Sequence, residues 1–210
     1  MFRRRSAPER GPRRPTWIGR WHERARDQRG VNVVESAFVT PVFIFLVLAV
    51  GEIGLAMNDY LAEANAVRGG ARVASASGND LYADYGIVQA VRRESVALER
   101  KKIKYVVVYK ASAFGEAPSA TCQSGVAVTG VCNVYLVSDF DRPKTDFGCL
   151  SNQSLDKYWC PSARKVSLSG SGTEFVGVWM KIEHPWLTKL FGNTKTLTDS
   201  SVIRLEPRTQ

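Results

Sequence analysis

GVNVVESAFVTPVFIFLVLAVGEIGLAM, residues 30–57, decides how the rest of this chain is read. No charged residue falls between Ser36 and Gly51, and Ile53 to Met57 continue the apolar character past Glu52. At the rise of an α-helix, the positions from Ser36 to Met57 span about 33 Å, enough for the hydrocarbon core of a bilayer. A helix that is apolar all round needs lipid or a large core about it, and no other stretch of the chain is apolar enough to enclose one. The run therefore reads as a membrane-spanning helix over 31–57. A secretory signal fits less well, since the run is about twice the length of a usual signal-peptide apolar region.

Charge orients the span. Ten arginines against Glu9, Glu23 and Asp27 give residues 1–30 a formal +7 of the chain's +9, leaving +2 for everything after them. This excess is a juxtamembrane cluster and not a patch on a folded face, so nucleic acid is excluded as a partner. The positive-inside rule keeps the leader, 1–30, cytoplasmic and places the remainder outside the cytoplasmic membrane in a single pass. Pro8, Gly11, Pro12 and Pro15 among the arginines make the start of the leader a solvated segment able to lean on anionic lipid.

At the inner end, Gly30 precedes Val31 and Glu35 opens the apolar run. An ionised carboxylate there is expensive without a partner. Cleavage between Gly30 and Val31 would create an α-ammonium about 6 Å along the helix from Glu35, or within reach of the Glu35 of a neighbouring subunit, fixing the register of helix against helix.

These residues resemble a class III, type IV pilin-like signal. The wider resemblance is to the TadE-like family of the Tad/Flp pilus system, carried by Val34-Glu35-Ser36-Ala37-Phe38 with Pro41, by Gly51-Glu52-Ile53-Gly54, by ANAVRGGARVA at 64–74, and by LTDSSVIRLEP at 197–207. It implies a structural minor pilin or pseudopilin of a Tad pilus or related secretion system. It also implies cleavage after Gly30 by a prepilin peptidase and partnership with other pilins, TadE-like subunits, the assembly platform and membrane lipid. Pro41, Glu52, Gly54, Arg68, Gly69, Gly70 and Arg72 are the expected helix-packing positions. For Glu52 two placements stand open: the membrane interface, or a pair with Arg68 or Arg72 of a neighbour. For Gly69-Gly70 the choice is close packing between subunits or a kink. The alternative function is an uncleaved, signal-anchored envelope module that binds through its loops.

Beyond the span, 58–102 reads as a helical outer segment and 103–210 as a β-rich one. Leu61, Ala64, Val67, Ala71 and Ala74 carry the first helix on to Ser77-Gly78-Asn79. A second helix follows, with Asp84 as N-cap, Ile87, Val88, Val91 and Leu98 as its apolar stripe, and Arg100-Lys101-Lys102 at its C-terminal end. Lys104–Tyr109, Val131–Val137, Glu174–Glu183 and Thr198–Leu205 are β-branched or alternating and read as four mostly antiparallel strands. The fold class is α+β, pilin-like.

Four cysteines, Cys122, Cys132, Cys149 and Cys160, on the outer side argue for disulfides. Three connectivities exist; the local pairs 122–132 and 149–160 are favoured because each closes a short loop, for about 2–4 kcal/mol. No C-x2-C pair supports zinc, and Asp139, Asp141 and Asp146 lack EF-hand spacing, so neither metal nor cofactor is expected. Segment 111–172, with Phe140, Phe147, Tyr158 and Trp159, is either a small core under a long loop or a partner-binding surface. With His22 and His184 as the only histidines, and no P-loop, Rossmann pattern or HExxH, the chain reads as non-enzymatic.

Overall fold

The computed structural model describes residues 19–167 and 172–207, with the backbone alone given for 19–29 and 31. Most of the basic leader and the side chain of Val31 thus lie outside the described residues. The chain separates into Met1–Leu48 and Ala49–Gln210.

Helix α1 is Gly19–Ser77, with Pro41 inside it. It stops where the sequence indicates: Gly78 takes a φ of 58° and its N–H returns to the Ala74 carbonyl at 3.1 Å, the left-handed ending that glycine makes cheap. Helix α2 is Ala83–Glu94. Strands β1 (Ile103–Ala111), β2 (Cys132–Leu136), β3 (Phe175–Pro185) and β4 (Thr194–Arg204) form one antiparallel sheet in the order β2-β1-β3-β4. The α+β class stands.

Within Ala49–Gln210 the sheet has two covered faces. Val106, Val108, Val178, Met180 and Ile182 pack with Val67, Ala71 and Ala74 of α1 and Ile87, Val88 and Val91 of α2. On the other face, Val107, Tyr109 and Trp179 pack with the Cys122–Cys132 disulfide. A strand buried on both sides loses polar alternation, which is why β1 reads as an unbroken valine run. A register shift between Ile103 and Tyr105 brings Ile103 onto the face of Val106 although the two are three apart.

The Gly69-Gly70 pair makes a close contact within the chain itself. A Cβ on Gly70 would stand 2.8 Å from Val91 Cγ2 and 3.3 Å from Val178 Cγ1; one on Gly69 would meet Glu94 Cγ at 2.6 Å. The glycines let α2 and β3 press against α1 within the same chain.

Helix α2 departs from its sequence reading at both ends. Tyr82 precedes it without a side-chain cap, and Asp84 lies in the first turn, buried. The Asp84 carboxylate accepts from Asn133 Nδ2 (2.9 Å), Tyr135 Oη (2.6 Å) and Arg164 Nη2 (2.5 Å). Burial, with the Asp84 charge beside it, holds the Tyr135 phenol well above its usual range. At the other end, α2 stops at Glu94, four residues before Leu98, and Arg100–Lys102 form a separate 3-10 turn leading into β1.

The described residues of segment 111–172 add their buried side chains to both faces of the sheet. Helix α3 (Ala120–Gln123) is capped by Ser119, and disulfides join Cys122 to Cys132 and Cys149 to Cys160. Phe140, Phe147 and Trp159 are buried, and Tyr158 alone of the four aromatics is exposed, so the segment is mainly core. The acidic residues there serve the fold: Asp139 accepts from Leu136 N–H, Asp141 pairs with Arg92 and Arg100, and Asp146 with Arg142. Asp156 accepts from the Gly148 and Cys149 N–H groups.

Two outcomes test this packing. Asp84→Ala strands the buried Arg164 charge, and is expected to cost about 3–5 kcal/mol in denaturant unfolding. Gly70→Val is expected to lose about 1–3 kcal/mol by overpacking, whereas Gly69→Ala requires the exposed Glu94 side chain to move away from its Cγ contact at 2.6 Å and is expected to lower the unfolding midpoint by less.

Candidate functional site

In Met1–Leu48 the described side chains of α1 have no interior. Val42, Phe43, Ile44 and Phe45 are four successive residues, each exposed, and Phe38 is 76% exposed. At 3.6 residues per turn four successive positions go right round the helix, so every side is apolar and unpartnered. Among the described residues, Asn32–Ser77 is the helix long and apolar enough to cross a membrane. Gly30, Glu35 and Pro41 are likewise exposed, with nothing within 4 Å of a Cβ built at Gly30. A pair between Glu35 and the residue 31 nitrogen depends on cleavage and is not part of this geometry.

In Ala49–Gln210 the apolar exposure continues at Val50, Ile53, Leu55 and Met57. Gly54 is open on its outer side. Glu52 breaks the pattern by turning inward, 3% exposed, where it accepts hydrogen bonds from the backbone N–H groups of Leu187 (3.1 Å) and Thr188. Within this chain the partner of Glu52 is thus the loop joining β3 to β4, which neither sequence placement named. Arg68 and Arg72 are exposed, facing away from the core.

Two to three turns beyond Glu52, sequence reasoning missed a buried polar group. Asp59 lies 2.8 Å from Lys102 Nζ and 2.6 Å from His184 Nδ1, all three largely buried. Glu63 is fully buried and neither carboxyl oxygen has a hydrogen-bond partner among the described residues. The signal was present: 52, 59 and 63 fall on one helical face with Ala66, Val67 and Gly70, so acids at these spacings face the core and not the solvent.

This arrangement offers no catalytic chemistry that we can derive. The Asp59–His184 pair is closed over by Lys102 on one side and Trp186 on the other, whose ring centroid is 4.9 Å from that of His184. Among the described residues no group of three or more histidines, cysteines or acids is placed to hold a metal ion. What distinguishes the molecule is a bare apolar helix leading into a packed domain.

The same helix carries the likeness to known proteins. Residues 30–72 match the family model described as TadE-like protein. The chain carries a TadE-like domain. This TadE-like domain takes in the exposed apolar run, inward-turned Glu52, and the Gly69-Gly70 contact with α2. No curated protein and no solved structure matches the chain.

Glu52→Ala would leave the two loop N–H groups without their acceptor while removing no core packing. Hydrogen exchange at Leu187 and Thr188 is expected to accelerate, with exchange at Val106–Val108 in β1 unchanged. Equal protection at 187 and 188 in the variant would mean that the loop is held by other contacts.

Proposed function

We propose that this chain is a structural subunit, a minor pilin or pseudopilin, of a Tad-type pilus or related secretion system. The observation that carries the reading is the coincidence of the TadE-like domain at 30–72 with a helix whose apolar side chains are exposed on every side. Such a surface is stable in lipid or among like helices, where packing replaces solvation by hydrocarbon.

In this reading the chain is divided into a basic cytoplasmic leader (1–30), a spanning helix (31–57), an outer helical segment (58–102) and a β-rich, disulfide-bonded segment (103–210). A prepilin peptidase removes the leader after Gly30. The new ammonium of Val31 pairs with Glu35, which stands on an exposed helix surface, and the helix passes from lipid into a bundle of other pilin helices through the assembly platform. Pro41 and Gly54 lie on that outer surface, and Arg68 and Arg72 face outward for contact with a neighbour. Gly69, Gly70 and Glu52 are occupied inside the chain and do not enter the intersubunit contact. The domain travels with the helix as passenger, and no catalytic role is assigned to it.

The deciding measurement is the N-terminal mass of the protein from its native membrane. A chain beginning at Val31 is the expected result; an intact leader, in cells with active prepilin peptidase, would favour the uncleaved envelope module. Glu35→Ala is expected to abolish entry into the fibre while leaving membrane insertion and domain stability intact, as read by pilus shearing against a membrane fraction.

A further inference from the structure

The loop between β3 and β4, residues 186–193, is unlike an ordinary polar hairpin tip. Leu187 is 75% exposed, and Leu190 and Phe191 are exposed beside it. Trp186 is half-buried, its ring centroid 5.3 Å from that of Phe191, and Lys189 sits at the tip. The loop is fastened to the apolar stretch of α1, since Glu52 accepts from Leu187 and Thr188 N–H. Three more of its donors are served within the chain: Trp186 N–H by the Asn193 carbonyl, Leu190 N–H by Thr188 Oγ1, and Gly192 N–H by the Lys189 carbonyl.

We propose that this loop is a second membrane contact, inserted at the headgroup boundary of the outer leaflet beside the spanning helix. The reasoning joins three independent features. Exposed Leu187, Leu190 and Phe191 belong to the loop that Glu52 holds, and Ile53, next to Glu52 on the helix, is itself exposed and apolar. Five of the eight backbone N–H groups of 186–193 have acceptors within the chain, which lowers what irregular chain loses at the polar headgroup boundary. Tryptophan and lysine are the residue types of the interface, the ring amphipathic and the ammonium able to reach phosphate. A carboxylate within an apolar run thereby gains a role: Glu52 sets the loop at the level of the outer helix turns. The occupant is lipid, with anionic headgroups favoured by Lys189 and Lys195, both exposed. The inference rests on the membrane reading of α1.

The test uses the full-length chain in vesicles of phosphatidylethanolamine and phosphatidylglycerol. All four cysteines are disulfide-bonded, so Leu190→Cys, Leu46→Cys and Ala113→Cys each give one free thiol for an environment-sensitive fluorophore. Residue 113 follows the end of β1 that pairs with Phe175, the far end of β3 from the loop. Spin-labelled lipids then quench by depth. The expected result is strong quenching at 46 by deep labels, strong quenching at 190 by shallow labels, and none at 113. Adding Leu187→Asp, at an exposed position, is expected to lose most of the quenching at 190 and leave that at 46 unchanged. Quenching at 46 with none at 190 overturns the loop contact while leaving the helix in the membrane; no quenching at 46 overturns the membrane reading and the loop contact with it. A blue shift at 190 that grows with protein density and ignores the lipid quenchers would show that a second copy of this chain covers the loop, and overturns the lipid assignment.

Discussion

The contact of Gly70 with Val91 and Val178 sets how near α2 and the sheet can stand to α1, and the architecture of the outer unit depends on that closeness. Alanines at 62, 66, 71 and 74 line the same face, so the long helix presents a nearly flat stripe on which larger side chains from three elements seat themselves. Bulk is supplied by the partners and not by the helix, which suits a helix whose other end must pack or dissolve as a cylinder. The energetic reason is dispersion: atoms brought to contact distance gain little singly and much together. A methyl group at position 70 would force Val91 Cγ2 to give way and crowd Val178.

The second support is electrostatic. Asp84 gathers Arg164, Asn133 and Tyr135, and thereby ties β2 and the end of the disulfide segment to the first turn of α2. Arg164 also lies over Trp159, 4.3 Å from its ring centroid. Pairs of this kind cost much desolvation and are weak evidence for stability in themselves, but once formed they are hard to remove singly. Here the pair holds a segment too poor in regular structure to hold itself.

The helix and the four strands were legible because their signals are local: unbroken apolarity in α1, β-branched runs in the sheet, and the Ser77-Gly78-Asn79 stop. Asp84 shows where local signals fail. An aspartate at the start of a helix is usually a cap, and only the arrival of Arg164 from eighty residues away makes it a core acceptor. Glu52 failed in the same way, since its partners are backbone groups of a loop that no periodicity places nearby. The loop itself, Trp186 to Phe191, carries no periodic signal that would place it against α1. For Gly69-Gly70 the sequence leaves close packing and a kink both open, and the neighbours that crowd the pair, Val91, Glu94 and Val178, come from distant parts of the same chain. Side chains whose meaning depends on distant chain were thus the ones the sequence concealed, while cysteines at short separations gave up their pairing.

Consecutive cysteine pairing has a consequence for how the chain matures. Cys122 joins Cys132 and Cys149 joins Cys160, so the two closed rings neither overlap nor enclose one another. A polypeptide threaded across a membrane delivers its cysteines in order, and each thiol here finds its mate in the next one to emerge. In the exported topology proposed above, oxidation can keep pace with translocation, ring by ring, before the final strand emerges.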